Sequence, residues 1–252
     1  QATPMKNLKQ LFRHGEPWAA VLGKNGSRGK SGGRGKSGNM DDIEELIDCM
    51  TPGKPLLLLD ADEVLLRFVE RLEAHLHTVG YELRLTSFQL GGNIYGISTG
   101  TVATPDEVKG LISGFFDACA HDILVVPGAA DALHTLAGNY NVAILSNIPA
   151  PCRARRAASL KAQGIDFPVL ANRGAKGPAA AHIASLLQTP VVFVDDLPPQ
   201  HASVAKHAPD IHRVHFVADS RLADLIDKAE HAHVRIDDWP NLSQHLQQRI
   251  EA

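Results

Sequence analysis

Short runs of consecutive apolar residues, each closed by a polar one, alternate along the chain with stretches where apolar residues recur every three or four positions. Leu56-Leu57-Leu58-Leu59 lies between Pro55 and Asp60, Val142-Ala-Ile-Leu145 ends at Ser146-Asn147, and Val191-Val-Phe-Val194 ends at Asp195-Asp196. Such runs have no polar face and suit strands buried on both sides of a sheet. Residues 168–171 and 213–217 are two further candidates. Helical spacing covers 41–49, 129–136, 153–163, 178–187 and 220–231. The first of these helices opens at Asp41, a residue type that caps helices, and Pro52-Gly53 and Pro55 stop it. Strands alternating with helices predict right-handed crossovers and a mostly parallel sheet covered on both faces, a three-layer α/β fold.

The stretch 67–125 breaks this alternation. Residues 67–79 read as a helix, and 81–101 are rich in Gly, Thr, Ser and aromatics, with Gly91-Gly92-Asn93 as a turn between two strand-like runs. Thr104 and Glu107 form a capping box that opens a helix through Ala118. The expectation is a helix–hairpin–helix insert in a core made of 41–66 and 126–252. After Arg235, Trp239-Pro240 and the helically spaced Leu242, Leu246 and Ile250 predict a closing helix.

Composition narrows the class. Of 252 residues, 44% are hydrophobic and only 5% aromatic, so the core is expected to be aliphatic. Apolar runs of a few residues fall far short of the roughly 20 needed to cross a bilayer, so no membrane partner is expected. The three cysteines form no C-x-x-C pair, and no long apolar stretch follows Lys6, Lys9 and Arg13. Together these predict a cytoplasmic, reducing setting without a secretory leader.

The net charge of −3 hides an asymmetry: residues 1–40 carry eight basic residues and one acid, the remainder 17 and 27. In this arm Arg28-Gly-Lys-Ser-Gly32 recurs as Arg34-Gly-Lys-Ser-Gly38, and Gly23 to Gly38 contains nothing apolar, which predicts a flexible linker. The Gly-Lys-Ser triplets are no P-loop, because Lys24 and Lys30 stand where that motif needs glycine. If nucleic acid is bound at all, it is through phosphate contacts of this arm. Ahead of it, Leu8, Leu11, Phe12, Trp18, Val21 and Leu22 suit a short amphipathic helix.

In parallel sheets ligands bind beyond the carboxyl ends of the strands. Asp60, Asp62, Ser146, Asn147, Asp195 and Asp196 all stand there. Carboxylates crowded at one rim repel unless a counter-charge sits among them, and a hard cation such as Mg²⁺ is one that also engages phosphate oxygens. A carboxylate oxygen left free can then attack phosphorus, Asp62 can exchange protons with the leaving oxygen and with water, and Ser146 can donate to a phosphoryl oxygen. Lys176 precedes a helix opened by Pro178, so ammonium and helix terminus can face one anion.

The order strand–Asp60-Ala-Asp62-Glu-Val64, strand–Ser146-Asn147, Lys176, strand–Asp195-Asp196 resembles the four motifs of the haloacid dehalogenase-like (HAD) superfamily, with spacings of 86, 30 and 19 residues. The resemblance covers about 52–235. It implies a Rossmann-like core, a small type-one cap at 67–125, and an Mg²⁺-dependent phosphomonoesterase acting on a small phosphorylated substrate. It further implies Asp60 as the nucleophile that becomes an aspartyl-phosphate, and Asp62 as acid/base with a metal-binding carbonyl. Ser146 and Lys176 match the phosphate-binding positions, with Asn147 beside Ser146. Asp196 matches a direct metal ligand, and Asp195 acts directly or through water.

Two departures stand out. Glu63 replaces a glycine often found there, and Leu-Pro-Pro-Gln200 lacks a further acid. Glu63, Arg67, Asn93 and Tyr95 are candidate substrate selectors, while Arg153, Arg155 and Arg156 read as a solvated helix face. The alternative is a catalytically silent protein of the same fold whose basic arm binds a polyanion.

Overall fold

Six strands form one all-parallel sheet in the order β5-β4-β1-β6-β7-β8, comprising β1 (Leu56–Leu59), β4 (Asn141–Ser146), β5 (Val169–Ala171), β6 (Val191–Asp195), β7 (His212–His215) and β8 (Val234–Arg235). The computed structural model describes residues 38–119 and 121–251. The basic arm therefore lies almost wholly outside the described residues, as does the amphipathic segment ahead of it.

Burial explains why β1 is wholly apolar. Its four leucines are fully buried, Leu57 and Leu59 on one face of the sheet and Leu56 and Leu58 on the other. Alternate side chains of a strand point to opposite faces, so a strand covered on both sides has no position for a polar group. Helices α1 (Gly38–Asp48), α6 (Gly177–Leu187) and α7 (Pro198–His207) supply Ile43, Leu46, Ile183 and Val204 to the core of Leu56 and Leu58. Helices α4 (Ala129–Leu136), α5 (Arg153–Ala162) and α9 (Trp239–Glu251) supply Leu133, Leu160, Leu242 and Leu246 to the other face.

Between β1 and β4 the chain leaves the sheet to form α2 (Phe68–Thr78), the antiparallel pair β2 (Tyr81–Leu83) and β3 (Ile94–Gly96), and α3 (Pro105–Cys119). The capping box is present: Glu107 Oε2 accepts the Thr104 N–H at 2.8 Å, and Thr104 Oγ1 accepts the Glu107 N–H at 3.3 Å. Phe68 packs edge-on to Phe115 at 5.1 Å between centroids, joining α2 to α3.

Three elements differ from the sequence expectation. Helix α7 is not among the helices expected from the sequence; Pro198-Pro199 occupy its first turn, where an N–H has no partner in any case. The expected helix 220–231 stops after α8 (Ser220–Ala223). Its continuation is captured by tertiary partners: the Arg235 guanidinium donates to the carbonyls of Ala223 and Ile226, and His215 Nδ1 accepts the Ala229 N–H at 3.1 Å. The hairpin turn is a longer loop, closed by Asn93, whose amide donates to the carbonyls of Ser87 and Gln89 at 2.7 and 2.6 Å.

Candidate active site

Parallel pairing of β1 with β6 places Leu59 opposite Val194, so Asp60 and Asp195 leave the sheet side by side. The Asp60 N–H donates to the Val194 carbonyl at 2.9 Å, which continues the ladder to the point where the acids begin. Between them lies the fully buried Lys176 ammonium, 2.7 Å from Asp60 Oδ1 and 2.7 Å from Asp195 Oδ2. The other Asp195 oxygen accepts the Leu197 N–H at 2.9 Å. Asp196 is different: both its carboxylate oxygens are buried without a hydrogen-bond partner. Ligand atoms of Asp60, Asp195 and Asp196 lie within 4.8 Å of one another.

Burial shapes the electrostatics. It raises Asp60 to about 6, against the pull of Lys176 and helped by the charge of Asp195. Asp196 is raised well above its ordinary range by burial and by the negative charges of Asp195 and Asp60, with only a weak opposing effect from Lys176. Burial works to strip Lys176 of its proton, but Asp195 and Asp60 outweigh it and hold the ammonium charged.

Neighbouring elements hold these groups in place. The Lys176 N–H donates to Gln200 Oε1 at 2.8 Å, and the next residue, Gly177, passes so close to α7 that a Cβ there would stand 2.3 Å from the Ser203 carbonyl oxygen. His201 and His215 donate from Nε2 to the backbone carbonyls of Asp195 and Asp196, at 2.9 and 2.8 Å. Since His215 Nδ1 accepts from Ala229, that ring is the neutral Nε2–H tautomer. Burial lowers both histidines to about 4.

Ser146 ends β4, the other neighbour of β1, and its buried hydroxyl has no partner. Asn147 accepts from Asn172 at 2.7 Å and donates to the Gly174 carbonyl at 2.9 Å, which pins the loop leading into Lys176. Asp62 is buried, and its Oδ1 accepts from Arg156 Nη1 at 2.6 Å. Burial raises Asp62, with Arg156 opposing.

Arg156 departs from the expected solvated face, being fully buried while Arg153 pairs with Asp42 and Arg155 donates to the Asp117 carbonyl. The signal was present in the sequence: Cys152, Arg156 and Leu160 recur every four residues, and all three are buried.

Of the four candidate selectors, Glu63 and Arg67 line one cavity, and Asn93 and Tyr95 are not part of its lining. Glu63 takes a left-handed φ of +58°, strained for any residue but glycine. Its buried carboxylate accepts the N–H groups of Val69 and Asp219 at 2.7 and 2.8 Å, bracing α2 against α8. Burial raises it to about 7. Asn93 spends its amide within its own loop, and Tyr95 carries the Arg84 guanidinium 4.3 Å above its ring. Arg67 pairs with Glu70 at a cavity of about 440 Å³ that Glu63 and Arg221 also line.

The donor set fits a hard divalent cation. Among Asp60, Asp62, Asp195 and Asp196, Lys176 pairs with Asp60 and Asp195 and Arg156 with Asp62, and neither pairs with Asp196. The bare oxygens are those of Asp196, and oxygen-only donors suit Mg²⁺.

No family model and no curated protein matches the chain. Solved structures do. A haloacid dehalogenase-like hydrolase from Burkholderia xenovorans LB400 is 20% identical with a TM-score of 0.52, over 80% of this chain and 100% of that one. A HAD family hydrolase from Deinococcus radiodurans R1, with bound phosphate and sodium, is 18% identical with a TM-score of 0.54, over 79% of this chain and 97% of that one. An L-2-haloacid dehalogenase is 13% identical with a TM-score of 0.52, over 78% and 100%. The chain has the HAD fold. Likeness at these identities speaks to architecture, and one fold carries several chemistries, so activity must be argued from the site. Among the described residues no helix is long and apolar enough to cross a membrane.

Proposed function

We propose that the protein is a hydrolase, a Mg²⁺-dependent phosphomonoesterase that works through an aspartyl-phosphate on Asp60. The observation carrying this reading is Asp196: two buried, undonated carboxylate oxygens within ligand reach of Asp60 make no sense as a structural feature and suit a resident cation. Asp60, Asp196 and the Asp62 carbonyl would hold the ion, with Asp195 acting directly or through water. Bound there, Mg²⁺ neutralises charge on the phosphoryl oxygens.

The chain's own residues perform the transfer. The Asp60 oxygen attacks phosphorus, the bond from phosphorus to the leaving oxygen breaks, and that oxygen takes the electron pair and a proton from Asp62. Water then attacks phosphorus as Asp62 takes its proton, and Asp60 is released. Lys176 holds Asp60 and Asp195 in register throughout, while the free Ser146 hydroxyl donates to the phosphoryl group. The 67–125 module excludes water as a cap. The substrate is a small phosphorylated molecule, and the free thiols Cys49, Cys119 and Cys152 suit a cytoplasmic setting.

Asp62 separates this reading from dehalogenation, since a departing halide needs no proton. A panel of phosphorylated metabolites and haloacids, with Mg²⁺ added and chelated, tests the assignment. Expected are phosphate release that stops on chelation and its abolition in a folded Asp60→Asn variant. Halide release from a haloacid with no phosphate from any member would defeat the proposal.

A further inference from the structure

Among the described residues Arg156 is the one fully buried arginine, and its bonding differs from that of the other inward-turned arginines. Arg213 spends its guanidinium on the fold, with Nε on the His231 carbonyl at 2.7 Å and Nη1 on those of Pro209 and Ile211 at 2.9 and 2.7 Å. Arg235 likewise braces the carbonyls of Ala223 and Ile226. Arg156 braces nothing of this kind. Its single hydrogen bond runs from Nη1 to Asp62 Oδ1, while Nε and Nη2 are buried and unpartnered.

Buried donors left unmatched are unfavourable, and a purely structural arginine would have found backbone carbonyls. What the side chain does at that site is grip one oxygen of Asp62.

The geometry points to Arg156 as a positioning residue that fixes the Asp62 carboxyl by its Oδ1 so that the second oxygen delivers the proton to the departing oxygen of the substrate. This rests on the phosphomonoesterase reading above. The second Asp62 oxygen gives up its proton while the bond between phosphorus and the leaving oxygen breaks and that oxygen keeps the electron pair. The same oxygen recovers a proton from the attacking water. Arg156 keeps all of its protons and acts only on orientation.

The arrangement also ties the acid to the phosphate site. Arg156 sits on α5, which follows Ser146 through the short 3₁₀ turn Ala150–Cys152, so one segment supplies both the hydroxyl and the clamp on Asp62. Arginine is suited to the task, since a planar guanidinium orients a carboxylate in a way that an ammonium on a flexible stem does not.

The test is the leaving-group dependence of kcat/KM, which covers every step through departure of the leaving oxygen. The probes are p-nitrophenyl phosphate, whose phenolate leaves without help, and unsubstituted phenyl phosphate, whose leaving oxygen needs a proton. With Mg²⁺ present, Arg156→Met and Arg156→Lys are each expected to lose at least about tenfold more on phenyl phosphate than on p-nitrophenyl phosphate. In an Asp62→Asn background, adding Arg156→Met is expected to cost nothing further on either substrate. That double variant is neutral at both positions and so avoids stranding a buried charge if Arg156→Met folds poorly. Equal losses on the two phosphates, or full additivity with Asp62→Asn, overturn the proposal while leaving the parent reading intact. A wild type that releases phosphate from no phosphomonoester overturns both.

Discussion

Lys176 has the least freedom of any residue in the site. It is fully buried, it bridges two carboxylates, and nothing else cationic touches either of them among the described residues. Removing one partner from a buried ion pair strands the other and costs about 3–5 kcal/mol. Lys176→Met is accordingly expected to lose that much stability in urea unfolding, and Mg²⁺ is expected to restore part of it by taking over as counter-charge. A loss below about 1 kcal/mol would mean that Asp60 and Asp195 do not depend on the ammonium. The residues of this cluster were legible because each directly follows a short apolar run or opens a proline-led helix. The pairing of Arg156 was not, since its partner Asp62 is 94 positions away, although the four-residue recurrence of Cys152, Arg156 and Leu160 marks it as the inward-facing arginine of the three. Glu63 misled for a related reason: its carboxylate reads as available, whereas two backbone N–H groups occupy it.

At the level of elements, the approach of α6 to α7 decides where Lys176 stands. Gly177 permits it, as a Cβ at that position would meet the Ser203 carbonyl carbon at 2.6 Å as well as its oxygen. Neither atom can yield without moving the α7 backbone. Gly177→Ala should therefore overpack the interface, lowering stability by about 1–3 kcal/mol and lowering turnover as the lysine shifts. Unfolding curves and rates matching those of the wild type would show that the helices are free to separate. The buried strands and the helices between them could be read from apolar runs and spacing, because burial on both faces leaves a plain signature. The stretch after α8 could not, because its carbonyls are claimed by Arg235 from across a turn. Helix α7 left no such signature, because the side chains it buries are Gln200, His201 and Val204, two of them polar.

Across the whole molecule, the parallel order brings the ends of β4, β1 and β6 together at the centre of the sheet. Chemistry gathered from four distant points of the chain becomes one buried cluster there. The helix–hairpin–helix module stands between β1 and β4, following directly on the loop that carries Asp62. Alternation in the sequence foretold this architecture. Which side chains would end up free of partners, Asp196 and Ser146 above all, emerged only from the packed structure.

Covalent capture on Asp60 reaches the centre of the account. Wild-type protein with Mg²⁺ is mixed with a radiolabelled phosphomonoester that it hydrolyses, quenched in acid within a turnover, digested and sequenced by mass spectrometry. The account predicts label on the peptide carrying Asp60, released by hydroxylamine as an acyl phosphate would be, and none in Asp60→Asn. Turnover accompanied by label on a different residue, or by no protein-bound label at any quench time, would contradict it.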